Sequence, residues 1–550
     1  MMPREENKVS MDDTTTGAGA LAHAFAQAGV RRIFGVPGGG SSLDLIEAAK
    51  AEGIEFVLAR HETSAVIMAA TTAELSGAPG IALCTRGPGV GNAANGMAHA
   101  ALDRAPVVLV ADGFSATERT FATHQYFDQA GMLAPVTKEA VQVGQREAGE
   151  AAARAIGAAL AAPRGAALIE LSGAAARAPA RRATLRLPAE AATPDAAFLR
   201  AARAILAASR RPVAILGCEA AENGAVAAAA RALVQALGCA ALVTYKAKGV
   251  IPDADPHFAG IFTGGEAEAP VMAQADAFIL IGADPVEFIA KPWRWTAPIV
   301  ECGTAPRPLH YRAPEAGLYG PLAPMLAALA EGVNRSAWEP DAIRAERDAW
   351  RARLANPGAG AGLGPQRVAE IAQAVCRRQG FDPRVAVDAG AHMFPATTVW
   401  ECERPGDLLI SNGLATMGFA VPAGIAAALH DPARGALAFT GDGGLLMGMG
   451  ELATAAVLGV KLVVVVFNDA CLSLIDIKKG ARDLPGGALG WPRADFATAM
   501  RAMGGVGLTA TTEAEYEAAL AQAIAAPGPA LVDVAVDPSG YPAQIKALRG

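Results

Sequence analysis

A Gly-Asp-Gly triplet, Gly441-Asp442-Gly443, is followed after 24 intervening residues by Asn468, at the end of the apolar run Val463–Phe467. Asp and Asn offer hard oxygen ligands, which together with phosphate oxygens and water suit an octahedral cation such as Mg²⁺. The spacing therefore reads as a clamp for a metal and a diphosphate. Its parts must be positioned by regular elements. A buried strand over Ala436–Thr440 is expected to deliver the carboxylate to a glycine turn, where bare backbone approaches a phosphate. A helix over Leu445–Leu458 would aim first-turn N–H groups at an anion. A second strand, Lys461–Phe467, returns to set Asn468 beside the same strand end. A polar turn with a strand-capping Asn is the alternative for the triplet alone; the spaced Asn after an apolar strand favours the clamp.

Other segments carry chemistry-bearing residues at strand ends. Arg60-His61-Glu62 follows the strand Ile54–Ala59 and opens the helix Thr63–Ser76, where an acid is also favourable for plain electrostatic reasons. Asp388-Ala389-Gly390-Ala391-His392 ends the strand Arg384–Val387. Asn412–Gly418 is expected to begin a helix running to His430, in which Met417 could serve as a soft core residue. Phe34–Gly40 is a strand and glycine-rich turn containing Pro37, but its spacing is not G-x-G-x-x-G and no ribose-binding acid accompanies it. Thr85–Asn92 forms a second such turn, with Asn92 placed to cap a helix. Thr123-His124-Gln125-Tyr126 leads through Asp128-Gln129 to Pro135-Val136-Thr137-Lys138.

Taken together and in this order, these motifs resemble the thiamine diphosphate (ThDP) enzyme family that includes acetolactate synthase, benzoylformate decarboxylase and benzaldehyde lyase, over about Met11 to Pro542. The resemblance implies ThDP and Mg²⁺ as cofactors, with Asp442, Asn468 and the Ala470 carbonyl on the metal. It implies Glu62 as the carboxyl that hydrogen-bonds the pyrimidine N1′, so that the cofactor's own N4′ takes the thiazolium C2 proton. Met417 would wedge under the cofactor and bring N4′ near C2, and the Ala415 carbonyl would accept from the 4′-amino group. Further cofactor contacts are implied at Pro37, Thr85, Asn92, Gly390, His392, Gly441, Gly443, Gly444 and Leu472. Ala391 stands where acetolactate synthases have Gln, so one polar phosphate contact is absent there. Gln125 would touch cofactor and substrate, and His124, in a place usually apolar in the family, could shuttle protons near neutral pH.

The implied reaction is C–C bond cleavage or carboligation of a small 2-oxo acid or 2-hydroxyketone through an enamine intermediate. The segment Asp469–Trp491 lacks the Gln-Trp-Glu pattern of acetolactate synthases. Phe262-Thr263-Gly264-Gly265 replaces their Met-His-Gly flavin contact, which argues against bound FAD. A true acetolactate synthase and a catalytically silent ThDP-binding paralogue stay open as alternatives. The family architecture implies a homodimer or homotetramer with the active site at the subunit interface.

Composition agrees with a compact enzyme of several domains. The 550 residues are 52% hydrophobic and 18% charged, with a formal net charge of -7. Without a Lys/Arg block, this argues against a nucleic-acid or anionic-membrane surface and leaves a small-molecule substrate as the partner. No apolar run reaches the roughly 20 residues needed to span a bilayer. The polar Met1–Asp13 does not read as a signal peptide. Seven scattered cysteines without Cys-x-x-Cys fit buried thiols in a reducing cytoplasm. Short apolar strands alternating with Ala-rich helices predict an α/β protein of three doubly wound parallel-sheet domains. The expected bounds are 11–180 for a pyrimidine-binding domain, 190–335 for a central domain and 365–540 for a diphosphate-binding domain, these roles being implied by the resemblance. The breaker-rich Ala174–Thr193 is expected to be a linker.

Overall fold

A computed structural model describes residues 14–550 except 145–146, 186–195, 290, 308–311, 357–359, 361, 483 and 486. The chain divides into two compact units, Met1–Pro188 and Ala189–Gly550.

The first unit holds β1 (Thr14–Thr16), β2 (Arg32–Val36), β3 (Glu55–Leu58), β4 (Gly80–Cys84), β5 (Val107–Gly113), β6 (Glu139–Gln142), β7 (Ala167–Ser172) and β8 (Pro179–Arg181). Six of these form a parallel sheet in the order β3-β2-β4-β5-β7-β6, and β1 pairs with β8 antiparallel. All residues of β4, β5 and β7 are buried. That is why they read as continuous apolar runs, covered on both faces by crossover helices.

The second unit contains two further six-stranded parallel sheets. One is built from β9 (Pro212–Leu216), β10 (Ala240–Val243), β11 (Phe258–Ile261), β12 (Ala277–Ile281), β13 (Ile299–Gly303) and β14 (Ala316–Tyr319), in the order β11-β10-β9-β12-β13-β14. The other is built from β15 (Arg384–Val387), β16 (Leu408–Ile410), β17 (Ala436–Gly441), β18 (Leu462–Asn468), β19 (Val506–Ala510) and β20 (Ala530–Ala535), in the order β16-β15-β17-β18-β20-β19. Counted along the chain, this last sheet runs second-first-third-fourth-sixth-fifth. The sheet of the first unit has that same permuted order, a topological kinship that the strand rhythm alone leaves undemonstrated.

Several local expectations are corrected. The helix expected over Leu445–Leu458 starts at Asp442 and is split into Asp442–Gly448 and Glu451–Leu458. Gly448 and Gly450 flank the break, where glycine weakens a continuous helix. The segment Asn412–Gly418 is a turn, and its helix begins only at Ala420. Ala415 (φ 55°) and Gly418 (φ 79°) have left-handed backbone, so Met417 is not a helix residue. Part of the expected linker Ala174–Thr193 is ordered into the helix Gly173–Arg177 and β8, because β1 offers an edge to pair with; residues 186–193 of it lie outside the described residues. Sequence reading named no strand at β6, β11, β14, β16 or β19, which are short edge strands, nor at the paired β1 and β8 or the interior β20.

Candidate active site

In the second unit the strand order reverses between β15 and β17, which opens a crevice at their carboxyl ends. Pairing of Gly441 with Phe467 carries the next residue of each strand, Asp442 and Asn468, to neighbouring positions there. Asp442 is the first residue of its helix and is 2% exposed. Its Oδ1 accepts from the Gly443 N–H at 2.7 Å, while Oδ2 is buried without a hydrogen-bond partner. Asn468 donates Nδ2 to the Ala494 carbonyl (3.0 Å) and to Asp533 Oδ1 (2.9 Å). Two acceptors around Nδ2 fix the amide orientation, and Oδ1 is left buried and unpartnered. Burial, then the charge of Asp469, pushes the Asp442 carboxyl up to about 7. A cation would relieve both. Two residues beyond Asn468, Ala470 adopts φ 58°, and its carbonyl accepts from the Trp491 N–H at 3.0 Å with a second lone pair to spare.

The same crevice gathers other residues named from sequence. His392 is buried, its ring lies 5.3 Å from that of Phe467, and its Nε2 has no partner. Burial holds this imidazole down to about 3, so it is neutral. Ala391 beside it is buried, and Gly390 has φ 150°. A Cβ built on Gly443 would lie 2.8 Å from Leu472 Cδ2, 3.3 Å from Trp491 Cη2 and 3.5 Å from Met417 Cε. These side chains therefore converge on one glycine. A Cβ on Gly444 would come within 2.5 Å of Asp388 Oδ2, and one on Gly441 within 3.0 Å of His392 Nδ1. Ala415 is exposed on the turn.

Asp388 organises that turn. Its buried carboxylate accepts from the N–H groups of Ala389 (3.0 Å), Gly418 (3.1 Å) and Phe419 (3.1 Å) and from the Thr440 hydroxyl (2.8 Å). Burial raises it to about 6 against those bonds. Sequence reasoning placed Asp388 only as the start of a segment. It did not find Asp533 or Trp491 as supporting residues. An acid directly after a buried apolar strand is the signal that was available for Asp388, and an acid within one for Asp533.

Three buried polar atoms thus sit without partners in one crevice: Asp442 Oδ2, Asn468 Oδ1 and His392 Nε2. Leaving such atoms unpaired costs about 1–3 kcal/mol each. Two oxygens suited to a hard cation beside bare backbone and an imidazole fit a metal-bound diphosphate group. Among the described residues no group of three or more His, Cys, Asp or Glu could hold a metal, so this carboxylate–amide pair is the candidate.

In the first unit Glu62 is the first residue of the helix Glu62–Ser76 and is 7% exposed. Asn92 Nδ2 donates to its Oε2 at 3.0 Å, and the Thr63 hydroxyl donates to the Asn92 carbonyl at 2.6 Å. The pairing depends on the close approach of the helix Pro88–Leu102, which at Gly96 leaves no room for a side chain: a Cβ would lie 2.6 Å from Val66. The turn after Pro37 packs on Thr85, whose Oγ1 would be 2.4 Å from a Cβ on Gly38. Gln125 has φ 57°, a strained value for a side-chain-bearing residue. Gly87 (φ 66°) presses on it, since a Cβ there would meet the Gln125 carbonyl at 2.6 Å. Gln129, buried, accepts from the Gly87 N–H (2.7 Å) and donates to Glu170 (2.7 Å). His124 is exposed on this loop.

Comparison with known proteins agrees with this geometry. Family models match residues 15–132 as the thiamine pyrophosphate enzyme N-terminal TPP binding domain, 199–329 as the central domain and 388–534 as the C-terminal TPP binding domain. The chain is 31% identical over 545 residues to the catabolic acetolactate synthase of Raoultella terrigena, covering 95% of each. It is 28% identical over 555 residues to an acetolactate synthase of Bacillus subtilis, covering 95% of this chain and 93% of that one. It is also 30% identical over 511 residues to the probable 2-ketoarginine decarboxylase AruI of Pseudomonas aeruginosa, covering 89% of each. The three matched domains and full-length relatives establish that this chain belongs to the thiamine pyrophosphate enzyme family.

Proposed function

We propose that the protein is a ThDP- and Mg²⁺-dependent lyase or carboligase acting on a small 2-oxo acid or 2-hydroxyketone. The observation that carries the reading is the pair of buried, unpartnered oxygens on Asp442 and Asn468. Bound ThDP supplies a nucleophilic carbon that attacks a carbonyl and accepts electrons as the adjacent C–C bond breaks. Asp442, Asn468 and the Ala470 carbonyl would hold the metal, and His392 with the backbone of Gly390, Ala391, Gly441, Gly443 and Gly444 would face the diphosphate. Met417 and Leu472 would support the rings, with the Ala415 carbonyl as an acceptor. Glu62 would hold a proton against the aminopyrimidine, Asn92 keeping its carboxylate in place. Pro37 and Thr85 would line the same end of the site, and Gln125 and His124 would meet substrate.

Bound flavin is not part of this reading. The N–H groups of Thr263 and Gly265, in the segment where acetolactate synthases contact flavin, are taken by Glu268 at 2.8 and 2.9 Å. Assembly as a homodimer or homotetramer that completes the site is part of it, and sedimentation velocity tests that element. The relatives named acetolactate synthase favour acetolactate formation as the second reading. Assay of the purified protein with ThDP, Mg²⁺ and pyruvate, benzoylformate or benzoin decides the class. Cofactor-dependent consumption of at least one substrate is expected, and inertness toward all of them with cofactor bound contradicts the proposal.

A further inference from the structure

The short helix Met393–Val399 connects the candidate site to the loop that follows β10 in the same unit. At its start, the N–H groups of Met393 (3.3 Å) and Phe394 (3.4 Å) donate to the carbonyls of Gly390 and Ala391. The Ala396 N–H donates to the carbonyl of His392 at 3.1 Å. The seating of this helix therefore sets all three residues that face the diphosphate on the proposed reading. At its other end, the last turn leaves carbonyls without helical partners. That of Thr397 accepts from the Lys248 ammonium at 3.1 Å.

Lys248 lies in the loop after β10 and is 1% exposed, a state that lysine reaches only when paired. Its ammonium also meets the buried Asp253 Oδ1 at 3.1 Å. Asp253 is in turn bonded to the chain just beyond the helix. Its Oδ2 accepts from the Cys402 N–H (3.0 Å), and its own N–H donates to the Cys402 carbonyl (3.2 Å). A Cβ on Gly249, which has φ 85°, would collide with the Arg404 carbonyl, so the loop lies flush against this segment. A buried ion pair adds little stability over apolar side chains of the same volume. What this one adds is direction, because a cation at the terminal carbonyls of a helix favours one seating of it.

We propose that Lys248 is a positioning residue for the cofactor: it fixes the far end of the helix Met393–Val399, so that Gly390, Ala391 and His392 are preorganised for the diphosphate. The inference rests on the ThDP reading above and goes beyond it by giving the central domain a part in cofactor binding.

The test uses full-length apo-protein as wild type, Lys248→Met and Lys248→Met/Asp253→Asn. Lys248→Met strands the Asp253 carboxylate and should lower the unfolding midpoint. The second substitution removes that charge, keeps an acceptor for the Cys402 N–H and should bring the midpoint back toward wild type. The Thr397 carbonyl still lacks its cation. Hydrogen exchange of peptides covering 388–400, read by mass spectrometry, is therefore expected to be about fivefold faster or more in the double variant. Binding of ThDP at saturating Mg²⁺, read by isothermal titration calorimetry, should be about fivefold weaker or more. A purely structural lysine would let both recover with the midpoint, so wild-type exchange or wild-type affinity in the double variant overturns the proposal. Equal acceleration in peptides of β4 and β5 overturns it too, since the loosening would then be global. Absence of ThDP binding by wild type contradicts the ThDP reading, while the exchange arm, which needs no cofactor, still decides whether Lys248 holds the segment.

Discussion

Asn468 and Asp533 share a hydrogen bond of 2.9 Å that engages the Asn468 amide nitrogen at the strand end neighbouring Asp442. The two acceptors around Nδ2 leave the oxygen, not the nitrogen, unpartnered. On the proposed reading Asp533 would support a metal ligand, and such partners typically contribute 10–100-fold in metal affinity.

Replacing Asp533 with Ala is accordingly expected to weaken Mg²⁺-dependent ThDP binding by about 10–100-fold. Asp533→Asn, which keeps one acceptor oxygen, should lose less. Titration of each apo-protein with Mg²⁺ at fixed ThDP, followed by near-UV circular dichroism, measures this. Equal affinities in wild type and Asp533→Ala would show that the amide orientation is set elsewhere.

Much of the framework was legible because it is local. The buried runs of β4, β5 and β18 announce themselves as apolar stretches, and Asp442 and Asn468 follow from types and spacing. What was not legible depends on distant pairings. Asn92 supports Glu62 across 30 positions, Asp533 supports Asn468 across 65, and Asp388 holds the Met417 turn across about as many as its bonds to Gly418 and Phe419 span, 30 and 31. No periodicity encodes such contacts. Left-handed backbone at Ala415 and Ala470 was equally hidden, since alanine does not mark a turn as glycine does.

Glu62→Gln keeps the shape of the side chain and its place beside Asn92 but removes the ionisable group. Turnover is expected to fall by about 10²–10⁴-fold, the usual range for loss of a proton-transfer group, with ThDP affinity within a few-fold of wild type. Steady-state kinetics and a cofactor titration on the same preparation check both halves. Full activity in this variant would remove Glu62 from the mechanism.

Gln129 ties Gly87 to Glu170, so Gln129→Leu leaves the buried Gly87 N–H and Glu170 Oε1 without their partner, while Glu170 Oε2 keeps Gln142. A loss of about 1–3 kcal/mol in stability is expected, measured by urea unfolding. Turnover should fall further than ThDP affinity, because the Gly87 turn presses on Gln125. Unchanged stability would mean that water replaces both bonds.

His392 gives the apo-protein a defined acid sensitivity. Its folded-state value near 3 lies below the unfolded value near 6.5, so below 6.5 the unfolded chain binds the extra proton. The stability this group contributes is present above pH 6.5 and is lost as pH falls toward 3. Between pH 6.5 and 4.5 the loss is about 2 kcal/mol. Asp388, raised to about 6, acts in the opposite direction over roughly pH 4–6, so the comparison is with His392→Asn, which retains Asp388. Wild type should lose more stability than this variant across that range, and parallel losses would contradict the burial of a neutral imidazole.

The most direct test of the account is a near-UV circular dichroism titration of apo-protein with ThDP, with and without Mg²⁺, in wild type and Asp442→Ala. The account predicts a saturable signal in wild type that requires Mg²⁺ and is lost at matched concentrations in Asp442→Ala. A wild-type signal independent of Mg²⁺, or an undiminished one in Asp442→Ala, would contradict the assignment of Asp442 and Asn468 as the clamp.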